Sequence, residues 1–253
     1  MRKNVRSLLA FFFFLYCGPL FAIVNTESLR LKLSSKPRHF ELGISGDKKQ
    51  GNSDVEKLTV EFGWGLKAEQ REHLFVYNYG FGKSSGVVNT QRSFLHYRMG
   101  FLHTEFRATE FFAQIESDKF KDLNLRSLGG VGERFSIFQT DKLKNNLGLG
   151  AFYSEEIIES GGQKTTFHQG RFNFYYSLAY KIDEVSTFEN VVYFQPVVDY
   201  LSDYRIYFDS SLSFKIYEDF QFQMGYQLSH DSIPPEGIKK QDHVYRTKFI
   251  LSF

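Results

Sequence analysis

The sequence predicts an all-β protein, a closed antiparallel up-and-down transmembrane β-barrel of about 12 strands. Three observations predict it. Apolar and polar residues alternate with period two in segment after segment of the chain. The mean hydropathy is −0.34 although 18% of residues are aromatic. A helical membrane bundle does not reconcile those two values, whereas a barrel that shows lipid only every second residue does. The last nine residues, Tyr245-Arg246-Thr247-Lys248-Phe249-Ile250-Leu251-Ser252-Phe253, put Tyr245, Thr247, Phe249, Leu251 and Phe253 on one face and end on an aromatic ring.

The N-terminus reads as a cleaved secretory signal over residues 1–22. Arg2, Lys3 and Arg6 precede an apolar run containing Phe11-Phe12-Phe13-Phe14, and Gly18-Pro19 breaks that run before Ala22. The run is short of the roughly 20 residues a spanning helix needs. Cys17, the only cysteine, follows a bulky Tyr16 that does not suit lipidation. Cleavage after Ala22 leaves no disulfide and no thiolate metal site. It also leaves 28 Lys+Arg against 29 Asp+Glu, so the basic balance belongs to the leader and gives no support for nucleic-acid binding. Residues 23–37 form a periplasmic lead-in, although Leu29, Leu31 and Leu33 alternate with polar residues, so a further strand over 28–33 stays open. Residues 38–253 form one barrel domain.

The strands follow from their outward residues. The first carries Phe40, Leu42 and Ile44; the second runs from Leu58 to Leu66; the third carries Phe75, Tyr77, Tyr79 and Phe81. The fourth (Leu95 to Phe101) and fifth (Phe111, Ala113, Ile115) are followed by a weaker sixth with Leu123, Leu125, Val131 and Phe135. The seventh spans Leu147 to Tyr153 and the eighth Phe172 to Tyr180. In the ninth, the parity of Phe188, Val192 and Phe194 turns Asn190 outward. The tenth (Tyr204 to Phe214), eleventh (Phe220 to Leu228) and the terminal nonapeptide complete the set. Short turns near 67–71, 102–105, 139–142, 181–185 and 217–219 alternate with connections at 46–53, 84–89, 117–121, 157–166, 197–202 and 231–242. An even strand count with both termini on the short-turn side is what such barrels show. Glycines 63, 65, 80, 82, 100, 130, 132, 148, 150 and 225 all fall on the inward parity, with Gly129 the exception; there they allow curvature and leave space for large neighbours, which argues against a two-sheet sandwich.

Several segments resemble a family described as salt-induced outer membrane proteins, a domain family of unknown function. They are Gly51-Asn52-Ser53 before the second strand, the stretch from Arg126 to Phe135, Asp203-Tyr204-Arg205, and Ser232 through Asp242. The similarity covers residues 38–253, with Leu251 standing where the family commonly has Tyr. The resemblance implies an outer membrane barrel of a Gram-negative cell and carries over no catalytic residues.

No enzyme is expected. His96, His168 and His230, with Ser93, Ser229 and Ser232, form no recognisable nucleophile arrangement, and the seven histidines have no metal-site spacing, so neither cofactor nor metal is expected. The lumen holds the informative residues. Arg98, Arg126, Arg134, Arg171 and Arg205, with Glu61 and Glu110, are the candidate lumen-lining residues. They favour a narrow, porin-like channel or binding barrel for small polar or anionic solutes. The alternative is a closed, stress-related envelope barrel whose inward acids pair with the cations; an outer membrane enzyme is a remote third reading. Expected partners are outer membrane lipid, lipopolysaccharide near Lys48-Lys49 and Lys239-Lys240, and a barrel assembly machinery that reads Tyr245, Phe249, Leu251 and Phe253. Deleting Phe253 is expected to impair outer membrane assembly; normal heat-modifiable migration and normal surface yield of the truncated chain would refute this.

Overall fold

The computed structural model describes Thr26, Glu27, Leu29, Arg30 and residues 37–253 apart from 50–54, 120–121, 161 and 235–238. The expected signal, residues 1–22, lies outside them. Twelve strands follow one another: β1 (Arg38–Lys49), β2 (Val55–Ala68), β3 (Arg71–Ser84), β4 (Val87–Leu102), β5 (Arg107–Asp118), β6 (Leu123–Gln139), β7 (Leu143–Ser160), β8 (Gln163–Lys181), β9 (Ser186–Pro196), β10 (Tyr204–Tyr217), β11 (Phe220–Asp231) and β12 (Gln241–Ser252). Each pairs antiparallel with its sequence neighbours, and β1 pairs with β12 to close the barrel. The closing register is short, from Glu41↔Ser252 to Ile44↔Phe249. Reciprocal backbone hydrogen bonds between Phe40 and Phe253 (3.0 and 3.2 Å) extend it to the last residue. Their rings stack at 6.3 Å on the outside.

Alternation decides which side chains face out. On β3, Phe75, Tyr77, Tyr79 and Phe81 point outward while Glu72, Leu74, Val76 and Asn78 point into the lumen, where they are buried. Cross-strand neighbours then set aromatic rings side by side on the outer wall, as in Phe62–Phe75, Phe101–Phe111 and Phe174–Phe194. Asn190 keeps the outward parity, and its amide donates to the Asp209 carbonyl of β10 (3.4 Å).

The connections differ from the expected ones, mainly because the strands run further. β7 and β8 extend to Ser160 and Gln163, where residues 157–166 read as a loop, and β1 continues through Lys49. β3 and β4 are joined by Ser85-Gly86 alone, both with positive φ (49° and 78°), which matches the right-handed twist of a two-residue hairpin. Strands of 11 to 19 residues exceed the roughly 9–11 needed to cross a bilayer. The wall therefore continues beyond the apolar band. At the other end the turns are two to four residues; in one, the Val185 and Ser186 N–H groups donate to Asp183 (2.9 and 2.7 Å) and hold its carboxyl below the usual range.

Two placements correct the sequence reading. Leu123, expected on the outer face, is buried inside, because a register shift between Leu123 and Leu125 reverses the parity at the start of β6. The lead-in was expected in the periplasm, yet Thr26, Glu27, Leu29 and Arg30 lie inside the barrel. Glu27, Leu29 and Arg30 carry a helical backbone, with Arg30 N–H on the Thr26 carbonyl (3.2 Å), so Leu29 and Arg30 are not part of an extra strand.

Inward glycines make room for lumen side chains. A Cβ on Gly148 would collide with the Tyr175 ring, and one on Gly130 would meet the Phe112 ring. Gly148→Ala is expected to destabilise the barrel by about 1–3 kcal/mol through overpacking. Gly225→Ala, whose added carbon would meet Ser210 and Ser211 at ordinary distances of 3.5–3.6 Å, should be close to neutral. Urea midpoints of the two folded variants in lipid vesicles check the difference.

Candidate functional site

Charged side chains fill the lumen in three groups. The central group is built around Glu110 of β5. Its carboxylate accepts from Arg134 Nε (2.8 Å), Arg98 Nη1 (3.3 Å) and the Tyr175 hydroxyl (2.8 Å). Arg134 reaches on to Glu72 (2.7 Å), and Arg98 to Glu27 of the N-terminal segment (2.7 Å). The Arg98 guanidinium also lies over the Phe112 and Tyr175 rings, at 5.8 and 5.5 Å. All of these charges are at least nine-tenths buried, so their partners are what makes burial tolerable.

A second group sits nearer the long-loop end. Arg205 donates to Glu156 (2.8 Å) and Asp231 (2.9 Å), and Arg126 to Glu116 and Glu156. Beside it, Arg171 donates to Asp203 (2.9 Å) and to the Gln195 carbonyl (3.1 Å). The third group lies near the closing seam. There Glu61 takes Lys248, Arg246 and the Asn78 amide, and Arg246 also pairs with Asp209.

All seven candidate lumen residues, Arg98, Arg126, Arg134, Arg171, Arg205, Glu61 and Glu110, project inward, and each is engaged in an ion pair. The barrel brings Arg98, Arg134 and Glu110 together in one group and Arg126 and Arg205 in another. Glu72, Glu156, Asp203 and Asp231 were missed by sequence reasoning as partners. Glu156 and Asp231 have the inward parity but fall beyond the expected strand ends, so strand length, not residue type, hid them. Tyr245, Phe249 and Leu251 lie exposed on the outer face of β12, with Phe253 just beyond its end.

The serine–histidine candidates are spread apart. His96 meets Gln114 (3.2 Å), Ser93 meets Ser117 (3.0 Å), His168 faces Glu155 (3.6 Å), and His230 lies against the Tyr204 ring. Among the described residues no group of three His, Cys, Asp or Glu is placed to hold a metal ion.

Two cavities with mixed polar and apolar walls lie between these groups. One, of about 50 Å³, is bounded by Thr26, His96, Arg98, Arg126, Arg205 and Asp231 among others. The other, of about 70 Å³, is bounded by Leu29, Glu61, Asn78, Gln223, Arg246 and Lys248 among others. Each has room for only a few water molecules.

Glu110→Ala is expected to cost about 3–5 kcal/mol, because three buried guanidinium groups, Arg30, Arg98 and Arg134, then share two carboxylates, Glu27 and Glu72. Glu133→Ala, which breaks the surface pair with Arg107, should cost no more than about 1 kcal/mol. Equal urea midpoints for the two variants would contradict a buried network centred on Glu110.

Comparison with known proteins agrees with this architecture. The NanC porin, solved in a rhombohedral crystal form, superposes with a TM-score of 0.51 at 8% identity, covering 84% of this chain and 98% of that one. The KdgM porin in complex with disordered oligogalacturonate gives 0.44 at 12% identity, over 85% and 99% of the two chains. The COG4313 outer membrane channel from Pseudomonas putida F1 gives 0.47 at 11%, over 85% and 94%. At such identities the NanC likeness shows the fold alone, a closed 12-stranded antiparallel barrel of porin type. No match was found among curated protein sequences. A family model, described as a protein of unknown function, DUF481, matches residues 41–253 and so nearly the whole barrel, without carrying the salt-induced description. The chain belongs to the DUF481 family.

Proposed function

We propose that the chain is an exported outer membrane barrel that is closed to solutes in its resting state, its lumen charges holding the wall together. The observation that carries this reading is the pairing of six lumen arginines. Arg98, Arg126, Arg134, Arg171, Arg205 and Arg246 each meet at least one carboxylate, so cationic surface that would attract a diffusing anion is already neutralised. The outer wall supports the location, since exposed Ile44, Leu58, Phe111, Ile115, Val131 and Phe249 suit lipid and not water. Export by way of the periplasm, lipid and lipopolysaccharide as surroundings, and recognition of the β12 aromatics by an assembly machinery belong to the same proposal.

The sequence pattern favoured the channel reading, and one observation still speaks for it. Both cavities have charged residues in their walls, Arg98, Arg126, Arg205 and Asp231 in the first and Glu61, Arg246 and Lys248 in the second, as a narrow path for small polar or anionic solutes needs. Planar bilayer recording separates the two. The full exported chain, folded as judged by heat-modifiable migration, should stay near baseline; steady ion-selective currents would overturn the closed reading in favour of the channel.

A further inference from the structure

We infer that Thr26, Glu27, Leu29 and Arg30 act as a releasable plug, and that their withdrawal joins the two lumen cavities into a continuous narrow path. Thr26 walls the first cavity and Leu29 the second. The first is bounded by Arg126, Arg205 and Asp231, which lie near the long-loop ends of β6, β10 and β11. The second is bounded by Gln223 and Lys248, which lie nearer the short-turn ends of β11 and β12. The plug therefore borders both spaces.

The lumen carries a seat for this segment. Glu27 is 1% exposed and accepts from Arg98 Nη1 (2.7 Å), Ser177 Oγ (3.0 Å) and Arg30 Nε (2.9 Å). Leu29 is 2% exposed and packs in one apolar cluster with Leu74, Val76 and Phe94. Those three residues break the polar pattern of the inner face on adjacent strands β3 and β4, and Leu29 is what covers them.

The segment is also built to leave. Glu27 and Arg30 pair with each other (2.8 Å), so they depart as a neutral unit. Arg98 keeps Glu110, and Arg134 keeps Glu110 and Glu72, so the wall network survives without it.

The inference goes beyond the closed resting state proposed above, and bilayer recording tests the two apart. A variant lacking residues 23–30 behind the same leader, confirmed as folded by heat-modifiable migration, is expected to show discrete conducting events at least about tenfold more often than the full chain. Glu27→Gln keeps the shape of the segment but weakens its hold on Arg98, and should shift the full chain in the same direction. If the deletion does not fold, Glu27→Gln decides alone. Folded variants as silent as the full chain would overturn the plug while leaving the closed barrel standing. A full chain that conducts as strongly as the deletion would overturn both.

Discussion

A buried charge needs a partner at hand, and Glu110 is where this constraint is met most densely. Its two carboxylate oxygens hold Arg98 and Arg134 from neighbouring walls and accept the Tyr175 hydroxyl from β8 across the lumen. Strands far apart in the sequence are thereby tied through the centre as well as through their ladders. The same logic repeats at Glu156, which binds Arg126 of β6 and Arg205 of β10, and at Glu61, which binds Arg246 and Lys248 of β12 across the closing seam. The seam has the fewest ladder pairs, so a carboxylate on β2 reaching β12 adds a link where the backbone supplies least.

Filling the lumen with arginine, glutamate and aromatic rings has a geometric requirement, and the glycines of β6 and β7 meet it. Tyr175 lies over Gly148 and Phe112 over Gly130, so large side chains cross the interior without a facing Cβ in the way. Arg98 then stacks on both rings while its nitrogens reach acids on either side. A guanidinium suits this place better than an ammonium, because it is planar, weakly hydrated and can serve several acceptors together.

The apolar exceptions on the inner face are as informative as the charges. Leu74, Val76 and Phe94 would face a polar lumen without cover, and a one-turn N-terminal element supplies it through Leu29. Tyr175, Val191, Tyr193 and Tyr207 form a second such cluster across β8, β9 and β10. These residues give the barrel a partly packed interior, which sets it apart from a simple water-filled tube.

Period-two alternation was enough to read the fold, the strand order and the inward position of Arg98, Arg126, Arg134, Arg171, Arg205, Glu61 and Glu110, because in an up-and-down barrel each strand pairs with its sequence neighbours and parity alone assigns the faces. Strand ends were less legible: the same pattern fades where the wall leaves the apolar band, so Glu156 fell between the expected strand and its connection, Asp231 read as a loop residue, and neither was counted among the inward acids. The bulge at Leu123 was hidden for a related reason, since one extra residue reverses parity without changing composition. Which cation meets which acid, and that Glu27 and Leu29 turn back into the lumen, was decided only by the tertiary structure. Those contacts join residues up to 187 positions apart, and nothing local in the sequence encodes the distance between facing walls of a closed cylinder.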